Sequence, residues 1–172
     1  AYGVVQGNTD VLDKLNDAAV NKKYMDGHAP GLTGHALNAY AAAGVRSDHE
    51  CSDFAEAKEK VRRGQWIMIR EGTAAQNLDA LIELTQSPFY ERCMFCTDDK
   101  HPGDLMERGH IDYIIRKAVS LGAAPIRSIR MASLHVAQYF GLSDRGAVAP
   151  GYAADLVILS DLDSCKVESV YK

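Results

Sequence analysis

Basic residues are in short supply. The 172 residues hold 19 Lys and Arg against 23 Asp and Glu, a formal net charge of -4. A surface that grips nucleic acid needs a cationic excess to displace counterions, so no nucleic-acid partner is expected and a small neutral or cationic substrate fits better. Long apolar runs are also missing. None nears the roughly 18 residues that cross a bilayer, and no basic segment followed by an apolar core opens the sequence, so no membrane association and a cytoplasmic location are expected. Cysteine is sparse: Cys51, Cys93, Cys96 and Cys165 are too few and too irregular for a disulfide framework, although their even number leaves pairing formally open. Cys93-Met94-Phe95-Cys96 has C-x-x-C spacing, but its apolar run reads as a strand, where residues three apart face opposite ways. Two core thiols suit it better than a zinc knuckle or redox pair.

What is present is ordinary globular composition, 47% hydrophobic and 24% charged, arranged with a beat. Short apolar runs alternate with amphipathic stretches. Tyr24-Met25 precedes a helix expected over 32–43 with Thr33 as N-cap. Gly44-Val45 precedes one over 52–63, capped by Ser52, with Phe54, Ala57 and Val61 on one face. Trp66 to Ile69 leads to a helix over 74–84 striped by Leu78, Leu81 and Ile82, and Cys93 to Cys96 leads to one over 111–121. A last helix is expected from Pro125 to Phe140, stopped by Gly141. Such alternation predicts an α/β fold of about four parallel βα units. After Gly141 a Pro-Gly turn and two short alternating strands predict a small β appendage.

Each apolar run ends in a polar cluster: Asp26-Gly27-His28, Ser47-Asp48-His49-Glu50, Arg70-Glu71-Gly72 and Thr97-Asp98-Asp99. The steps are 21 residues from His28 to His49, 22 to Glu71 and 27 to Asp98. In a (β/α)8 TIM barrel every strand opens onto one mouth, so residues one unit apart become neighbours there. Four units make half a barrel, and a longer parent chain is expected because isolated parallel strands would leave open edges. Two imidazoles and a carboxylate at one mouth suit zinc, iron or manganese. The plain alternative is a set of polar strand ends without a ligand.

The strings "DGHAPGLTGHALNAYAAAGVRSDHE", "WIMIREGTAAQNL", "CTDDKHPGDLMERGHIDYIIRKA" and "APGYAADLVILSDL" resemble the bacterial-type adenine deaminases of the amidohydrolase superfamily. The resemblance covers residues 2 to 172; the first three strings are specific to that branch and the last is general. It implies strands five to eight of a metal-dependent barrel over residues 1–140, and the start of a small β-sandwich-like appendage over 141–172. His28 and His49 match the metal ligands after strands five and six. Asp98 matches the carboxylate after strand eight that binds metal and shuttles protons, the catalytic general base and acid. The family's H-x-H after strand one and carboxylate after strand four have no counterpart here, so the stretch is expected to be a poor catalyst alone, with "AYGVVQGN" as the loop leaving strand four.

The implied chemistry is hydrolysis of adenine to hypoxanthine and ammonia in purine salvage or catabolism, by water activated at a binuclear divalent centre of manganese, iron or zinc. Arg70, Glu71, Asp99 and His110 are tentative substrate contacts; for Arg70 and Glu71 the alternative is a structural ion pair. His101 is a weaker pocket candidate, His35 is expected to be exposed, and His135, Met68, Met94 and Met131 to be structural. A homo-oligomer is expected for the full-length form. The same ligands would serve another amidohydrolase, such as a cyclic-amide hydrolase or amino-sugar deacetylase. A non-catalytic half-barrel that pairs with another chain is the reading from a different class.

Overall fold

The computed structural model describes residues 1–86 and 88–172. They pack as two compact units, Ala1–Met68 and Ile69–Lys172, with the boundary inside a strand.

The first unit holds helices α1 (Tyr2–Val5), α2 (Thr9–Val20) and α3 (Gly34–Ala42), strand β1 (Ser47–Asp48), helix α4 (Phe54–Arg62) and the start of strand β2 (Trp66–Arg70). Strands β1 and β2 pair in parallel across α4, Ser47 with Trp66 and Asp48 with Ile67, which makes the expected βαβ unit. Ala29, Tyr40 and Val45 form a buried cluster on which Ala1, Val4, Leu15 and Leu32 pack.

Three local expectations are corrected here. "AYGVVQGN" is not a loop, since Tyr2–Val5 is helical and Asn8 caps α2, its Oδ1 accepting the Val11 N–H at 3.1 Å. Tyr24-Met25 is extended but forms no strand. The Met25 carbonyl accepts the Arg46 N–H at 3.0 Å, and this bond alone does not make a ladder. Helix α4 starts later than expected because Asp53, not Ser52, is its N-cap, with Oδ1 accepting the Glu56 N–H at 2.9 Å.

The second unit begins with the end of β2 and continues through α5 (Leu78–Gln86), a 3-10 turn (Pro88–Arg92), β3 (Cys93–Cys96), α6 (Pro102–Arg108), α7 (Ile111–Ser120), α8 (Pro125–Ala132) and α9 (Leu134–Phe140). An antiparallel hairpin of β4 (Leu156–Leu159) and β5 (Val167–Tyr171) closes it, as the two short strands without an intervening helix predicted. Leu78, Leu81, Leu84, Met94, Ile114 and Met131 are buried in its interior.

Helix α5 starts at Leu78 and not at 74, because residues 70–77 fold into a closed loop: the Arg70 N–H donates to Asn77 Oδ1 at 2.7 Å and the Asn77 N–H returns to the Arg70 carbonyl at 2.9 Å. The helix expected over 125–140 is two helices, broken at Ser133 (φ -134°, ψ -79°). The Ser133 hydroxyl donates to the Ile129 carbonyl at 2.7 Å, the back-bonding that lets a serine compete with the helix ladder. His135 is buried, with Nδ1 2.8 Å from the Cys93 carbonyl, and His35 is exposed, both as expected. All four cysteines are free, and burial pushes the Cys93 thiol up to about 12. No helix among the described residues is long and apolar enough to cross a membrane.

Candidate metal centre

In the first unit His28 and His49 come together. His28 leaves the extended segment after Gly27, and His49 and Glu50 follow β1 directly. His28 Nδ1 lies 3.4 Å from His49 Nε2 and 3.3 Å from Glu50 Oε1, and His49 Nε2 lies 3.4 Å from the same carboxylate oxygen. The three atoms offer lone pairs to one common point when the protons of both rings sit on their other nitrogens. Ligands about 2.0–2.1 Å from a common ion in tetrahedral array stand roughly 3.3–3.4 Å apart. The donor set therefore fits a divalent transition metal, held by two imidazoles and one carboxylate.

The surroundings orient these ligands. His49 Nδ1 faces Asp26 Oδ2 at 3.5 Å, and Asp26 Oδ1 accepts the Ser47 hydroxyl at 2.5 Å and the Gly27 N–H at 2.8 Å. A carboxylate on the rear nitrogen presents Nε2 to a metal and raises its basicity. The His28 N–H donates to Tyr40 Oη at 3.1 Å. Gly27 allows this packing, because a Cβ there would stand 2.3 Å from the Ser47 carbonyl oxygen and 2.7 Å from a Val45 methyl.

A second acidic group, Asp48, Cys51 and Glu56, also converges. It already has its cation: Lys60 Nζ, fully buried, lies 2.8 Å from Asp48 Oδ2 and 2.6 Å from Glu56 Oε1. Burial opposes charge on Asp48, but the Lys60 ammonium outweighs it and holds the carboxyl below its ordinary value. Burial likewise works against the charge on Lys60, and its carboxylate partners reverse that balance and raise its pKa.

In the second unit Arg70 and Asp98 form an ion pair, with Nη1 2.7 Å from Oδ2. Asp98 has φ +53°, a left-handed conformation uncommon outside Gly, Asn and Asp, and strained residues of this kind collect at functional sites. Glu71 is fully buried. Its Oε1 accepts Lys117 Nζ at 2.7 Å, and its Oε2 has no hydrogen-bond partner among the described residues. Burial disfavours the Lys117 charge, but Asp79 and Glu71 together raise its pKa. Asp99 is exposed; its carbonyl takes the Thr73 N–H at 2.8 Å, and its Oδ1 would stand 2.6 Å from any Cβ at Gly72. His110 is exposed at the N-terminus of α7, its own N–H donating to Asp112 Oδ1 at 2.7 Å. His101 is exposed and caps α6 through Nδ1.

Sequence reasoning missed Glu50, Asp26 and the Asp48–Lys60–Glu56 cluster. Glu50 had one signal, its place beside His49. Lys60 had another: it shares a helical face with Ala57 and Val61, both buried, where a surface lysine has no reason to be.

An α/β chain that gathers two imidazoles and a carboxylate at the ends of its extended segments defines a metal-binding class. The chain belongs to the amidohydrolase family, whose model matches residues 3–172. Membership implies a divalent metal. The adenine deaminase of Desulfatibacillum aliphaticivorans is 49% identical over 169 residues, 98% of this chain and 30% of that protein. The adenine deaminase of Methylobacterium nodulans is 50% identical over 171 residues, 98% of this chain and 29% of that protein. The chain thus spans less than a third of the length of these curated relatives. Among solved structures, an amidohydrolase superposes with a TM-score of 0.62 at 17% identity, over 92% of this chain and 45% of that one. The β-aspartyl dipeptidase of Fervidobacterium islandicum superposes at 0.57 with 19% identity, over 72% and 37%. These two likenesses concern the fold alone.

Proposed function

We propose that this chain is part of a longer metal-dependent enzyme that hydrolyses adenine to hypoxanthine and ammonia. The observation that carries the reading is 49% identity to a curated adenine deaminase along 98% of the chain. In this reading residues 1–140 supply the second half of a TIM barrel, residues 141–172 begin a β appendage, and further ligands from the rest of the parent complete a binuclear centre of manganese, iron or zinc.

His28 and His49 hold the ion, joined by Glu50, and Asp26 fixes the His49 ring. A divalent ion there supplies positive charge that makes water nucleophilic near neutral pH. Asp98 takes a proton from the attacking water and returns it to the ring nitrogen or the leaving amine, first as base and then as acid. Arg70 orients that carboxylate through its 2.7 Å ion pair. Glu71 offers a buried oxygen to an N–H of the purine, supported by its lack of a partner among the described residues. Asp99 and His110 are the remaining substrate contacts of the proposal. The enzyme acts in the cytoplasm as a homo-oligomer.

The test is turnover by the full-length protein of three substrates: adenine, read as ammonia release, hydantoin, read as ring opening to a carbamoyl acid, and an acetylated amino sugar, read as acetate release. Turnover confined to adenine is expected. Turnover of either other substrate with none of adenine would replace this reading with another amidohydrolase activity.

A further inference from the structure

We propose that Lys60 is a positioning residue that ties the two ligand-bearing loops together and so brings His28 and His49 to one ion. The inference rests on the metal-centre reading above.

Lys60 lies on α4 and belongs to neither loop, yet its ammonium touches both. Nζ donates to the Ala29 carbonyl at 2.7 Å, one residue past His28, and to Asp48 Oδ2 at 2.8 Å, one residue before His49. Its third N–H goes to Glu56 Oε1 at 2.6 Å, which uses all the donors an ammonium has. The two carboxylates extend the tie. Asp48 Oδ1 accepts the Ala29 N–H at 2.8 Å, so both backbone groups of the residue after His28 are held, and Oδ2 accepts the Glu50 N–H at 3.3 Å. Glu56 reaches the same two loops through the Gly31 N–H at 2.8 Å and the Ser52 N–H at 3.0 Å.

Lys60 and Asp48 are fully inaccessible to solvent. A buried ion cluster gains little over an apolar core of the same volume, so stability alone is a weak reason for it. Its chemistry suits a metal floor. One cation shared by two carboxylates leaves a net negative charge behind the ligands, where an unneutralised lysine would repel the ion. Side chains that orient ligands from behind typically change metal affinity 10–100-fold when removed.

The experiment is Co2+ titration of the metal-free full-length protein, reading both the dissociation constant and the visible ligand-field spectrum, for wild type, Lys60→Met and Leu81→Ala. Leu81 is buried in the second unit and serves as a destabilised control. Folded Lys60→Met should bind Co2+ at least tenfold more weakly with an altered spectrum, while Leu81→Ala keeps the wild-type constant and spectrum. A loss below tenfold, or an equal loss in the control, overturns the proposal. If Lys60→Met does not fold, Asp48→Asn is judged by the same criterion. Wild-type protein that binds no Co2+ would instead refute the metal centre itself.

Discussion

Replacing Gly27 by Ala adds one methyl at the most crowded point beside the metal centre. The new Cβ would meet the Ser47 carbonyl oxygen at 2.3 Å, a Val45 methyl at 2.7 Å and Tyr40 Oη at 2.9 Å. A comfortable carbon–oxygen contact needs roughly 1 Å more than the shortest of these. The Ser47 oxygen is backbone, in a residue that itself pairs with β2, so it yields little. The displacement therefore falls on Gly27 and its neighbours, Asp26 and His28. Overpacking of this size costs about 1–3 kcal/mol of stability. The functional effect is larger, because His28 loses its alignment with Tyr40 and Asp26 loses its hold behind His49. A misplacement of about 1 Å commonly costs about 10²-fold in rate. Chemical denaturation should show Gly27→Ala still folding cooperatively at 25 °C, while equilibrium dialysis shows zinc affinity lowered at least tenfold and kcat falls by about 10²-fold. Wild-type affinity and turnover in Gly27→Ala would refute the close-approach reasoning.

On the proposed reading, Asp98→Asn in the full-length protein keeps an oxygen for Arg70 but removes the proton acceptor. kcat should drop by about 10²–10⁴-fold with metal content retained, and Asp99→Asn should cost much less; the reverse order would move the base one residue along the chain. Burial holds the His135 pKa below its ordinary value of 6.5, helped by the nearby Arg130 charge. The unfolded chain then binds that proton more readily, so His135 contributes fully above about pH 6.5 and less as pH falls toward its folded value. Urea denaturation of the metal-free protein between pH 7.5 and 5 should show a steeper loss for wild type than for His135→Leu, and parallel curves would contradict this.

Strands β2 and β3 were readable from pattern because their apolar runs are long enough to act alone. Trp66 to Ile69 and Cys93 to Cys96 each form a strand whose side chains are almost all buried. Leu78 and Leu81 stripe one helix face, as expected. The failures have local causes. Helix α2 has no fully buried residue, so its pattern is faint, although Asn8 and Asp10 at its start were available signals. Tyr24-Met25 is too short to build a ladder. Ser133 broke a helix that composition alone would have continued.

The site divides in the same way. His28 and His49 were found because the spacing of one βα unit placed them alike, and their nitrogens stand 3.4 Å apart. Glu50 was passed over because a carboxylate beside a histidine is common; only geometry shows Oε1 closing the triangle. Lys60 was hidden in a helix that also carries Lys58, Arg62, Glu56 and Glu59, where one more charge drew no notice.

Diffraction from zinc-loaded crystals of the full-length protein, recorded at the zinc absorption edge, tests the central claim most directly. An anomalous peak should lie about 2.0–2.2 Å from His28 Nδ1, His49 Nε2 and a Glu50 carboxylate oxygen. A fully loaded protein whose peaks all lie elsewhere, with these three atoms bare, would contradict it.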